Sequence, residues 1–124
     1  YNKKKHTLRG FHFQKKPFSE SKLITCIKGK LLIVLIDINK KSKNYLKHIK
    51  IILSSDLNKS LLISKNCATA YLTLSDDTLV FYYMSDFFKK EKGFGLRYDD
   101  PRINIKWPHK PKIISKKDLS FKSF

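Results

Sequence analysis

Arginine is scarce in this chain: Arg9, Arg97 and Arg102 are the only three among 27 basic residues, in 124 residues with ten acidic ones and a formal charge of +17. Bidentate recognition of phosphates and bases favours the guanidinium fork over the point charge of lysine. The lysines are scattered from Lys3 to Lys122 rather than gathered in one block. Specific nucleic-acid binding is therefore not expected; the lysines read as solvated faces that attract polyanions weakly and in a salt-sensitive way. Glycine and proline, four of each, are too few for a collagen-like or low-complexity chain. Two cysteines, Cys26 and Cys67, do not make a disulfide framework and read as buried free thiols. No apolar run approaches the roughly 20 residues that cross a bilayer; the longest, LLIVLI at 31–36, reads as a buried strand, and no membrane partner is expected. No signal-peptide pattern is visible in the sequence, and a cytoplasmic location is expected. There is no glycine-rich phosphate loop, no serine or cysteine nucleophile elbow and no HExxH, which removes the commonest nucleotide-hydrolysing, acyl-transfer and zinc-protease chemistries.

What is present is apolar and aromatic: 41% hydrophobic residues, with nine Phe and six Tyr, enough for one globular core in a chain of this length. Strand patterns recur every 8 to 12 residues with turn signals between them, at 7–14, 22–27, 31–38, 45–53, 61–63, 70–74 and 78–85. The third is apolar on both faces and belongs in the middle of a sandwich or barrel. One helical turn is expected near Asp86–Glu91. The fold class is all-β. From Gly93 onward, Pro101, Pro108 and Pro111 punctuate an irregular segment laid against the barrel, with Trp107 as a packing anchor. His48, between Lys47 and Lys50, reads as a solvated surface residue.

The stretch TLRGFHFQ, Thr7 to Gln14, sets one histidine, His12, in an alternating strand. In an unbroken strand Leu8, Gly10, His12 and Gln14 share one face and Arg9, Phe11 and Phe13 the other. An imidazole and an amide then point to one side, and Gly10 allows another backbone or a ligand to approach closely. A metal site would need several converging imidazoles or carboxylates. Here Gln14 stands where a second histidine would be expected, and His6, His48 and His109 lack ligand spacing, so no metal is expected. On the residues alone, Lys22 at the start of its strand reads as solvent-exposed, Tyr82 as core and Asp118 as a turn cap.

LRGFHFQ, KLITCIKG, LIDI, LSDD, YYMSDFF, GLRYDDP, INIKWP and ISKKD occur in this order along the chain. The ordered series resembles the dTDP-4-dehydrorhamnose 3,5-epimerase family, cupin-fold enzymes of deoxysugar and cell-surface polysaccharide (lipopolysaccharide or capsule) biosynthesis. The resemblance implies a cupin-type antiparallel β-barrel (jelly roll) with an irregular C-terminal segment, one domain over 1–124 that lacks an N-terminal segment. It implies a cofactor-independent isomerase that inverts the carbons beside the ketone of a nucleotide-linked 4-keto-6-deoxy sugar, of the dTDP-4-dehydro-6-deoxyglucose type, and acts as a homodimer. His12 matches the general base, Asp118 its orienting partner, Lys22 the lysine near the ketone oxygen and Tyr82 the general acid on the opposite face. Arg9, Gln14, Phe87, Phe88 and Lys117 match substrate contacts, Arg9 at the diphosphate. The chain departs from the pattern at Thr69, where relatives carry a histidine, at Gly93, where a glutamate is common, and at Phe87 and Phe88, where many have tyrosines. These departures keep three alternatives in view: a single-centre epimerase, a GDP-heptose epimerase, and a cupin that binds a sugar nucleotide without catalysis. The chemistry suits the residues, because a ketone acidifies both adjacent carbons, imidazole titrates near neutrality and an ammonium stabilises a developing enolate.

Overall fold

The computed structural model describes residues 1–17, 19–87 and 93–123. The described strands are β1 (Thr7–Gln14), β2 (Lys22–Lys28), β3 (Lys30–Asp37), β4 (His48–Ser54), β5 (Ser60–Ile63), β6 (Cys67–Thr73), β7 (Leu79–Met84), β8 (Gly93–Gly95) and β9 (Ile113–Ile114), followed by one helical turn, α1 (Lys116–Leu119). The layout follows from β3, the most apolar stretch. A strand with no solvent face needs a layer on each side, and β3 buries Leu31, Ile33 and Leu35 toward one and Leu32, Val34 and Ile36 toward the other. It lies between β4 and β6 in a sheet ordered β4-β3-β6-β1-β8, with β9 added parallel to the start of β1. The second sheet is β5-β2-β7, and every other pairing is antiparallel.

Ile24, Cys26, Leu31, Ile33, Leu35, Leu53 and Ile63 pack together between the sheets. The opposite face of the larger sheet, with Phe11, Ala68 and Ala70, is covered by the C-terminal segment through Leu96, Ile103, Ile105 and Trp107. Trp107 is the packing anchor expected: it packs against that cluster, and its indole N–H donates to the Tyr98 carbonyl at 2.9 Å. This is the cupin-type barrel with an irregular tail that the motif series implied. No helix among the described residues is long and apolar enough to cross a membrane. Cys26 and Cys67 are both free thiols, Cys26 buried and Cys67 half-buried.

Four local expectations need correction. β4 begins at His48 rather than at position 45, because the chain turns through Leu46 at φ 64°, where the Lys47 N–H donates to the Asn44 carbonyl. His48 is half-buried rather than solvated, and burial lowers its pKa with Lys50 adding to the effect. β6 begins at Cys67, three residues early, since Cys67, Ala68 and Thr69 pair with Asp37, Ile36 and Leu35; alanine's weak strand preference hides this from the sequence. Of the helical turn expected near Asp86–Glu91, Asp86 and Phe87 carry no helix and 88–91 lie outside the described residues. Helical turns form elsewhere, a 3-10 turn at Ser55–Leu57 and α1, which is capped by the Ser115 hydroxyl accepting from the Asp118 N–H at 3.0 Å.

Candidate active site

β1 is not an unbroken strand. Leu8 and Arg9 pair with Leu72 and Tyr71, but His12 pairs with Thr69, so Gly10 and Phe11 together stand opposite the single Ala70. An extra residue in one strand flips the facing of everything beyond it. Arg9 and His12, expected on opposite faces, therefore both face the inter-sheet space, while Phe11 is driven into the cluster beneath the tail. Gly10 makes the bulge possible. Its φ is +113°, and a Cβ there would lie 2.5 Å from the Thr69 carbonyl oxygen and 2.7 Å from Ala70 Cα, the close backbone approach that glycine signalled.

The bulge also prepares the Gly10 N–H for a partner from far along the chain. Asp118 sits at the third position of α1, where an acid usually reaches back to close a capping box. Here its carboxylate turns instead to β1: Oδ1 is 2.7 Å from His12 Nε2 and Oδ2 accepts from Gly10 N–H at 3.2 Å. The side chain of Asp118 is 3% exposed and that of His12 43%, so the acid is buried behind an imidazole that faces open space. Burial pushes the Asp118 carboxyl up, but the hydrogen bond and charge of His12, with Gly10 N–H and Ser115, outweigh it and hold the group below the usual carboxylate value. Phe121 packs edge-on against the His12 ring at 5.9 Å between centroids.

This dyad opens onto a cavity of about 560 Å³ between the two sheets. From the large sheet come Arg9, His12, Gln14, Thr69 and Tyr71; from the small one Lys22, Ile24, Tyr82 and Met84; from α1 comes Lys117. In β7 the register sets Tyr82 opposite Ile24, on the inward face, and Tyr83 opposite Leu23, on the outer face with Phe81. Seven of the expected site residues, Arg9, His12, Gln14, Lys22, Tyr82, Lys117 and, behind His12, Asp118, are thus brought together. Phe87 is not: it is 83% exposed and lines no part of the cavity. Phe88 lies outside the described residues.

Two cavity residues, Glu20 and Tyr71, escaped the sequence reading, and a third, Thr69, figured there only as a departure from relatives. Glu20, read as a turn former, is a buried acid whose Oε1 lies 3.2 Å from Lys22 Nζ and whose Oε2 accepts from Gln14 Nε2 at 2.6 Å. Tyr71 shares the inward face of β6 with Thr69, as alternation from Cys67 would have indicated; its phenol pKa is raised by burial, against the opposing influence of Asn2 and Arg9. Thr69 is buried on the cavity wall, and its Oγ1 finds no hydrogen-bond partner among the described residues.

The Asp118 contacts predict an acid-dependent stability. Its folded pKa lies below the unfolded value of about 3.9, so the ionised group stabilises the native state above that pH and the contribution is lost as pH falls through the lower folded value. The stability advantage of wild type over Asp118→Asn, read from urea unfolding at a series of pH values, is expected to be constant near neutrality and to shrink below about pH 4. An advantage that stays constant to the acid end would show that these contacts do not favour the carboxylate.

A profile of the dTDP-4-dehydrorhamnose 3,5-epimerase family matches residues 1–124. The chain is 32% identical over 120 residues to the dTDP-4-dehydrorhamnose 3,5-epimerase of Shigella flexneri, covering 97% of this chain and 66% of that one. It superposes on the crystal structure of the Bacillus anthracis dTDP-4-dehydrorhamnose 3,5-epimerase with TDP and PPi bound, at a TM-score of 0.96 and 31% identity over 99% of this chain and 70% of that one. A dTDP-6-deoxy-D-glucose-3,5-epimerase from Legionella pneumophila, in complex with dTDP-4-keto-L-rhamnose, gives a TM-score of 0.91 and 29% identity over 98% and 64%. The chain spans no more than two thirds of the length of its curated relatives. With the His12–Asp118 pair, the bulged strand that carries it and a family match running from the first residue to the last, the chain belongs to the dTDP-4-dehydrorhamnose 3,5-epimerase family.

Proposed function

We propose that this cavity is the active site of an epimerase that inverts one or both carbons beside the ketone of a nucleotide-linked 4-keto-6-deoxy sugar, of the dTDP-4-dehydro-6-deoxyglucose type, by proton transfer without a cofactor. The observation that carries the reading is the disposition of two groups on facing walls. His12, backed by Asp118 of α1, stands on the large sheet, and Tyr82 stands on the small one across the cavity. Inversion requires a proton to leave from one face of a carbon and return to the other, which needs a base and an acid on opposite sides.

In this reading Asp118 holds His12 Nε2, leaving Nδ1 to take the proton. The negative charge that moves to the ketone oxygen is met by the Lys22 ammonium, a donor already in place as the charge develops. Tyr82 then returns a proton from the opposite wall. Of the two phenols in the cavity, Tyr71 is engaged by Asn2 Nδ2 at 3.4 Å and lies beside Arg9, whereas Tyr82 is 55% exposed at the mouth. Arg9 and Lys117 give the cavity a positive rim suited to a diphosphate, and Gln14 supplies an amide to the sugar.

Incubation with nucleotide-linked 4-keto-6-deoxy sugars in deuterated water, followed by NMR at each carbon, tests the reading. Exchange at both carbons beside the ketone is expected. Exchange at one alone would select a single-centre epimerase or a heptose-directed relative, and exchange at neither would leave a sugar-nucleotide-binding cupin. The reading carries a single domain over 1–124, a cytoplasmic location, where nucleotide sugars are at hand, and a homodimer. The outer face of the small sheet supports the last, exposing Leu23, Leu62, Phe81 and Tyr83 together. A monomer by sedimentation at micromolar concentration would contradict it.

A further inference from the structure

Glu20 is a buried acid to which the reaction above gives no task. It lies in the loop between β1 and β2, where Lys15, Lys16 and Pro17 are exposed, yet its own side chain is 4% exposed. A carboxylate withdrawn from water is strongly destabilising unless it is paired, and a serine or asparagine would serve a turn equally well. Its oxygens are divided between two cavity residues. Oε1 lies 3.2 Å from the Lys22 ammonium, and Oε2 accepts from the Gln14 amide at 2.6 Å. Gln14 ends β1 in the large sheet and Lys22 begins β2 in the small one, so a single carboxylate ties the two walls together at one corner of the cavity.

We infer that Glu20 is a positioning residue for the proposed reaction, fixing the Lys22 ammonium and the Gln14 amide where the substrate's ketone oxygen arrives. The inference rests on the epimerase reading. A lysine is an ammonium with three donors on a flexible four-carbon stem. Glu20 takes one donor and immobilises the stem, which leaves two N–H groups for a substrate oxygen. A donor fixed in advance needs no reorganisation as charge develops, and a displacement of about an ångström can lower turnover on the order of 100-fold. Both carboxylate oxygens are engaged by Lys22 and Gln14, so in this inference Glu20 acts through those two side chains and its removal should act on turnover more than on binding.

The test uses the full chain in five forms: wild type, Glu20→Gln, Glu20→Asp, Lys22→Met, and Glu20→Gln combined with Lys22→Met. Glu20→Gln is expected to lower kcat for exchange about 10- to 100-fold with KM within about threefold, and Glu20→Asp to recover part of the loss. In the Lys22→Met background the same substitution should change little further, because two residues that act as one unit are not additive. A second measurement does not depend on turnover. Acylation of Lys22 by acetic anhydride, quantified on its peptide by mass spectrometry, should rise several-fold in Glu20→Gln, since pairing with the carboxylate ties up the amine. Unchanged acylation, a loss confined to KM, or a full additional loss in the Lys22→Met background would each overturn the inference while leaving the epimerase reading intact. A wild type that exchanges no carbon would sink that reading, and the catalytic task of Glu20 with it, even where acylation reports the ion pair.

Discussion

Replacing His12 by asparagine is expected to abolish solvent exchange at every carbon beside the ketone while leaving the fold intact. Asparagine keeps a donor for Asp118, and the His12 side chain is 43% exposed, so little packing is lost and the melting temperature should move by only a few degrees. A positioned base is worth on the order of 10²–10⁴-fold in rate. If a single imidazole serves both carbons, exchange at the two must fall together, whereas a residual rate at one would reveal a second base on another wall. Asp118→Asn should cost less than His12→Asn, because it disturbs the orientation of the ring without removing it. Combining the two should cost no more than His12→Asn alone, as expected of residues that act through one proton. Additive losses would mean that Asp118 has a task of its own, such as holding the Gly10 bulge through its 3.2 Å contact with the backbone N–H.

How far the sequence carried this reading varies with the physics of each element. β3 was legible because hydrophobic burial on two faces leaves an uninterrupted apolar run, and Trp107 because a lone indole in a punctuated tail has few other uses. The facing of Arg9 was not legible. Period-two alternation set it against His12, and only the bulge, where Gly10 and Phe11 oppose Ala70, brings both to the cavity. Glycine at position 10 was a signal of close approach, but nothing local says that the approach takes the form of an extra residue. The His12–Asp118 pair joins positions 106 apart, a separation at which no local pattern operates; the ordered motifs supplied it. Glu20 escaped for the opposite reason. SESK is locally a turn, and its burial depends on where the Gln14 and Lys22 ends of two different sheets happen to meet. Thr69 was noticed as a departure from relatives, but that its hydroxyl is buried with no partner among the described residues follows from side-chain packing on three neighbouring strands.

Tyr82→Phe is expected to separate two rates that rise and fall together in the wild type. His12 on the large sheet can still take a proton, so the enolate forms and is reprotonated from the side it came from, and deuterium continues to enter the sugar. Delivery from the small sheet is lost with the phenol, so inversion drops by about 10²–10⁴-fold, the usual worth of a positioned acid. Two features favour Tyr82 over its neighbours for this task. Its register opposite Ile24 turns it inward, and the other phenol in the cavity, Tyr71, is on the same sheet as His12 and cannot serve the opposite face. Tyr83 is the internal control. It pairs opposite Leu23 on the outer face and packs edge-on against Phe81 with 4.9 Å between ring centroids, so Tyr83→Phe removes a hydroxyl that faces away from the cavity and should leave exchange and inversion nearly unchanged. A damaging Tyr83→Phe beside a harmless Tyr82→Phe would reverse the facing of β7 and remove the acid from the opposite wall. Loss of exchange and inversion in equal measure in Tyr82→Phe would instead make the phenol part of proton removal, and the division of labour between the two sheets would have to be redrawn.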